Sequence, residues 1–409
     1  GGNSSVSQDT LSGRKGTPMS DNISYSIIDT APANHIYTGG LLCNLLNPVS
    51  DRLPDYICGE QTWDGATHTL NWYHWNGTKW VRTHLSTESG IAVGMDSADL
   101  TGNGTTDIVT ADWPLGPQAG SDGHVYWFEQ PDKPLEEPWP RHVLATGWGK
   151  AHDLHIGDIR GAGCADVLVR LKDERISWYS MPENPRDPWC ESQVAEVQAG
   201  DGTALYDVTG DGLLDIVTGT GYYERRDKDG RDWNFHPFQA TQELEVDVET
   251  RVVVGDLLGD GSVCVVLSES EVLTHARLLL LHSRDGGRTW DCHTLIDRER
   301  NLGALHSLQL LDANGDGRLD IFAAEMELYM EDLEIERRPT WRLFRNDGQL
   351  RFTERTVLDA NLGAHQGRAG RITGGDDVEF IAKNWKANSA NACDGTNHVV
   401  HVVHRLGSR

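Results

Sequence analysis

Apolar residues along this chain come in short bursts separated by polar, glycine-rich turns, and the bursts recur in a fixed order. A short strand leads into an acidic turn. An apolar strand follows it, as in Ile108-Val-Thr, Ile216-Val-Thr and Ile321-Phe-Ala. A third strand comes next, seen in Val125-Tyr-Trp-Phe, Ile176-Ser-Trp-Tyr and Leu278-Leu-Leu-Leu. A fourth opens on an aromatic, as in Trp80-Val-Arg-Thr-His, Trp139-Pro-Arg-His-Val and Trp290-Asp-Cys-His-Thr. Alternation with a large ring on one side is the pattern of a pleated strand packed in a stack of sheets.

The acidic turn sets the repeat. Its fullest copy is Asp312-Ala-Asn314-Gly-Asp316-Gly-Arg-Leu-Asp320. Close copies run from Asp99 to Asp107 and from Asp207 to Asp215. Weaker ones start at Asp158 and Asp256, and worn ones at Asn47 and Arg371. These seven starts fall about 50–60 residues apart, which suits four strands and their turns per unit. The sequence therefore predicts an all-β, seven-bladed β-propeller. Blade seven runs out after a third strand near His398-Val-Val-His-Val-Val, while Ile23-Ser-Tyr-Ser-Ile-Ile is a fourth strand without a blade. Joining the two closes the ring and removes two exposed edges. The expected organisation is a flexible N-terminal segment over residues 1–22 and one propeller domain over residues 23–406.

This repeat resembles the FG-GAP/VCBS propellers over nearly the whole chain from about residue 22. Two stretches also look like carbohydrate carbon–oxygen lyases. They are Val93-Gly-Met-Asp-Ser-Ala-Asp99 through Val125-Tyr-Trp-Phe-Glu-Gln-Pro131, and Ala304-Leu-His306-Ser-Leu-Gln. They are similar to rhamnose–glucuronate lyases and to the propeller domain of aldos-2-ulose dehydratase.

Composition narrows the partners. Asp and Glu number 62 against 36 Lys and Arg, a formal charge of -26. That field repels nucleic acid and acidic membranes, and an anionic substrate would need a local cation. The expected partner is a carbohydrate, a uronate-containing polysaccharide, met by a monomer. Seven cysteines form no spaced framework, and no signal peptide is visible. Sequons at Asn3, Asn22, Asn76 and Asn103 matter only for a secreted chain, and an extracellular location is the expectation.

The acidic turns allow two readings. Alternating oxygen ligands with a Gly at the sixth place can wrap a hard cation. In blade six the set is Asp312, Asn314, Asp316, the Arg318 carbonyl and Asp320. The corresponding positions are Asp207, Thr209, Asp211 and Asp215 in blade four, and Asp99, Asn103 and Asp107 in blade two. The resemblance implies structural Ca²⁺ there. The other reading is a tight turn whose Asp side chains cap backbone amides without metal.

Chemistry is expected at the opposite end of the strands. Six residues before the first acidic position stand His152, His306 and His365, and in blade four Asp201. The second strand returns to the same rim, so residues after it face there too. They include Asp112 and Trp113, Arg170 and Lys172, Tyr222, Glu325, and Lys383, Asn384 and Trp385. His35 joins them from a linker. Aromatic faces beside carboxylates, amides and cations suit a sugar. A uronate lyase must neutralise the carboxylate, remove the α-proton and protonate the departing oxygen. His152, His306, His365 and Tyr222 are the acid–base candidates, and Arg170 or Lys383 the cations. A keto-sugar dehydratase, with the histidines and Asp201 holding a metal, and a non-catalytic binding propeller are the alternatives.

Overall fold

A computed structural model of the chain describes residues 8–16, 22–45, 53–87, 93–118, 123–149, 151–171, 174–197, 200–327, 338–387 and 395–405. Asn47, where the worn first copy starts, and Lys172 lie outside these residues. The described strands form seven antiparallel sheets, each built as a meander, and the fold is the expected seven-bladed β-propeller. Among the described residues no helix is long and apolar enough to cross a membrane.

The chain divides into two compact units. Unit 1 comprises Gly1–Ala151, Pro182–Trp189 and His365–Arg409; unit 2 comprises His152–Met181 and Cys190–Ala364. In unit 1, blade one has strands His35–Cys43, Asp55–Thr62, His68–Trp75 and Trp80–Ser86. Blade two has Met95–Ala98, Asp107–Ala111, His124–Phe128 and Arg141–Thr146. Blade seven takes three strands from the C-terminal end, His365–Gly370, Val378–Lys383 and Asn397–His404. Its fourth is Ile23–Ala31, paired antiparallel from Ile23 opposite His404 to Ala31 opposite Asn397. The closure expected from the orphan strand is thus formed. Residues 8–15, grouped by composition with a flexible end, instead make two outer strands. Gln8–Thr10 pairs with Trp80–Ser86, and Arg14–Lys15 with Ile23–Ala31.

In unit 2 the innermost strands are Ala151–Gly157 (blade three, its first residue assigned to unit 1), Thr203–Tyr206 (four), Thr250–Gly255 (five) and Ser307–Leu311 (six). Second strands such as Val263–Glu269 are buried along their whole length, because blades cover both their faces. That is why Val-Cys-Val-Val-Leu reads as a continuous apolar run rather than an alternation. One core joins Val266, Leu278 and Leu280 of blade five to Leu308, Ile321 and Phe344 of blade six. Fourth strands such as Asp291–Ile296 lie outermost and are mostly exposed, which accounts for their polar content.

The acidic turns follow one hydrogen-bond plan. In blade six, Asp312 accepts from the amides of Asp316 and Gly317, at 3.0 and 2.8 Å. Asp320 accepts from Ala313, at the start of the turn, and from Asn346, on the third strand, at 3.0 and 2.7 Å. Blade two repeats this with Asp99 on Asn103 and Gly104, and Asp107 on Leu100 and Gln130. Blade four repeats it with Asp207 on Asp211 and Gly212, and Asp215 on Val208 and Arg225. The last Asp therefore staples its turn to the neighbouring strand, meeting amides that burial would otherwise leave unpaired.

Candidate functional site

The starts of the innermost strands in unit 2 gather a charged network. His152 is the second residue of its strand, Arg251 the second of its own, His306 immediately precedes its strand and Asp201 stands two residues before its own. The Arg251 guanidinium lies between the two histidines. Its Nη2 is 2.5 Å from His306 Nε2 and 3.5 Å from His152 Nε2. Its Nη1 is 3.7 Å from a carboxylate oxygen of Asp153 and from one of Asp201. His152 sits between those same carboxylates, with Nε2 3.3 Å from Asp201 and Nδ1 3.6 Å from Asp153. Glu271 approaches His306 Nε2 at 3.3 Å.

Local backbone chemistry fixes this arrangement. Gly202 has φ +92°, and a Cβ there would lie 2.6 Å from the Thr250 carbonyl. Only glycine lets the strand start after Asp201 lie against that before Arg251. The Gly202 amide donates to Asp153 at 2.7 Å, and its carbonyl accepts from Arg170 at 3.1 Å. Burial raises the cost of ionising Asp153. The contact with His152 and the charges of Arg251 and Arg170 outweigh it and hold the carboxyl well below the usual range. Asp201 is fully buried and the His306 side chain is 1% exposed, whereas His152 and Glu271 keep 11% and 19% of their side-chain surface. A substrate would meet the network through these last two.

His365 belongs to unit 1, with a different set of neighbours. Its Nδ1 is hydrogen-bonded to the buried Lys383 Nζ, which also donates to the Tyr37 carbonyl at 3.3 Å. Its ring packs on Trp385 at 4.9 Å between centroids. Trp385 stacks on Trp113 at 5.0 Å and meets the exposed Trp63 edge-on at 6.1 Å. His35 is paired with Glu60 at 2.6 Å, and Asp112 with His124 at 3.1 Å.

Several sequence candidates have other roles. Tyr222 is buried against Phe238 and Trp290, with its hydroxyl donating to the Gly287 carbonyl. Burial first, then nearby carboxylates, pushes its phenol up to about 12. It is a core residue, not an acid of the site. Glu325 is fully buried and accepts from Gly303, Thr340 and Arg342, so it staples loop to strand. Asn384 is spent likewise, on Lys386, Asn397 and His398.

Among the described residues no group of three or more His, Cys, Asp or Glu is placed to hold a metal ion. Arg251 occupies the space between His152 and His306 where a shared ion would sit. In the acidic turns the carboxylates are directed at backbone amides, and Arg318 is exposed with its amide on Asp316. These residues fit capping, and no step below runs through a metal.

Arg251 is the residue that sequence alignment missed. The aligned place in blade five is Thr250, and Arg251 follows it by one. Asp153 and Glu271 were missed as well, the first hidden beside His152 and the second in a polar loop.

No protein-family model matches the chain, and no curated protein matches it. Solved structures do. An ancestral GH74 enzyme covers 98% of this chain at 11% identity with a TM-score of 0.56, and this chain spans about half, 51%, of that structure. Saccharomyces cerevisiae Sqt1 covers 93% of this chain and 98% of its own at 11% identity, TM-score 0.50. An exotype rhamnogalacturonan lyase covers 96% and 75% at 12% identity, TM-score 0.48. Likeness at these identities establishes the fold alone.

Proposed function

We propose that the chain is a carbohydrate-active carbon–oxygen lyase that eliminates across a uronate in a glycan, met outside the cell. The observation that supports this is the network at the strand starts of unit 2, where two histidines, an arginine and three carboxylates are linked in one chain of contacts. His152 is the base. It keeps solvent access, and Asp153 and Asp201 stabilise the imidazolium formed when it takes the α-proton. Arg251, with Arg170 also near Asp153, supplies positive charge where the substrate carboxylate must enter beside acidic residues. Glu271, the more exposed partner of His306, returns a proton to the departing oxygen. The α C–H bond and the β C–O bond break, a C=C bond forms, and the released alcohol carries the second proton away.

A second reading, a binding propeller without catalysis, is favoured by the burial of His306. One screen separates the two. The protein is incubated with uronate-capped plant gum and ulvan-type polysaccharides, and the ultraviolet absorbance of an unsaturated uronate is followed. The lyase reading expects that absorbance to grow with time. Sugar binding with no absorbance change selects the binding module.

A further inference from the structure

The geometry points to a second carbohydrate site in unit 1, a stacking platform built on Trp63 that takes a neutral pyranose. It does not depend on the elimination chemistry and holds whether or not the unit 2 network is catalytic.

Trp63 is 42% exposed, and one exposed ring is ordinary on a protein surface. What sets this one apart is how firmly it is held. Its edge meets Trp385, which is 9% exposed, stacks on Trp113 and packs on His365. Three indoles and an imidazole thus form one continuous assembly. The turn carrying Trp63 is fixed by its own hydrogen bonds. The Trp63 amide donates to Asn34, the Gly65 amide to Thr62, and Asp64 accepts from the Thr62 hydroxyl and the Ala66 amide. The loop after Trp113 presses on this turn so closely that a Cβ on Gly116 would lie 1.8 Å from the Asp64 carbonyl. Both tryptophan-bearing loops are therefore locked together, and little order has to be created when a ligand binds.

The surroundings select the ligand class. A protein partner would call for a wide apolar patch around the ring. The turn instead offers Asp64 and Thr67, both exposed, and the half-buried His68, a carboxylate, hydroxyl and imidazole set suited to sugar hydroxyls. Residues 62–68 include a carboxylate and no Lys or Arg, within a chain of net charge -26. A uronate is repelled there, while a pyranose with equatorial hydroxyls lays its axial C–H face on the indole.

The test measures binding of cellohexaose, a neutral probe, and of hexagalacturonate, a charged one, by titration calorimetry. Three proteins are compared: the unaltered chain, Trp63→Ala and Phe235→Ala. Phe235 is similarly exposed, at 41%, but lies in unit 2. The expected result is that cellohexaose binds the unaltered chain and Phe235→Ala equally, and Trp63→Ala at least about tenfold more weakly. Hexagalacturonate binds none of them at this site. Three results would overturn the proposal. Cellohexaose fails to bind the unaltered chain, Trp63→Ala binds it as well as the unaltered chain does, or hexagalacturonate binds in a Trp63-dependent way. Equal loss in Phe235→Ala would overturn it too, since that is non-specific adsorption to exposed rings. Unchanged melting of Trp63→Ala shows that its fold is intact.

Discussion

The two ends of the innermost strands use the same residue type for different ends. At the turn end, Asp312 and Asp320 of blade six point both oxygens at backbone amides. At the start end, Asp153 and Asp201 face the His152 imidazole, which can take up a proton, and the permanently charged Arg251 guanidinium, and the Gly202 amide adds one bond to Asp153. A carboxylate on amides holds the backbone. A carboxylate on an imidazole can also stabilise a transferred proton. Partner, rather than residue type, separates structural from chemical aspartate in this protein.

The sharpest way to break this contrast is Arg251→Ala. It leaves Asp153 and Asp201 buried without their guanidinium and is expected to cost about 3–5 kcal/mol in denaturant unfolding, together with activity. If stability held while activity fell, Arg251 would be chemical only. Next comes Asp320→Ala, which strands the Ala313 and Asn346 amides. A loss of about 2–4 kcal/mol with turnover per folded molecule unchanged is expected. A matching fall in turnover would blur the two ends.

A smaller effect concerns pH. Burial raises the Asp215 carboxyl to about 6 from its ordinary 3.8, with its backbone hydrogen bonds opposing. The folded state then binds this proton more tightly than the unfolded one. Stability from this group is present below the unfolded value and is lost as pH rises from about 4 to about 6. Asp215→Asn should flatten that part of the melting-temperature profile. An unaltered slope would mean that the carboxyl ionises normally. The smallest effect is that of chelator. Turns held by amide caps should melt at the same temperature with and without it, and a fall would place a cation in them.

The fold was legible because blades two, four and six repeat a turn whose hydrogen bonds demand Asp and Gly at fixed places, and worn copies keep its spacing. Such constraints are local and survive in sequence. Even the orphan strand Ile23–Ala31 could be assigned, since an unpaired edge must be covered. The site was legible only where it followed the repeat. His152, Asp201 and His306 share one register, and the structure joins the first to Asp201 directly and to His306 through Arg251. Arg251 itself escaped because it stands one residue out of register. Tyr222 and Glu325 misled because distance along a strand says nothing of whether a polar tip ends in solvent or on a buried carbonyl or guanidinium.

The most direct measurement is the rate of unsaturated-uronate formation by His152→Ala beside the unaltered chain, at equal concentrations of folded protein on a substrate found in the screen. The account predicts a loss of about 10²–10⁴-fold in rate with the melting temperature kept. A His152→Ala protein that forms the product at the unaltered rate would contradict the assignment of the network as the reaction centre.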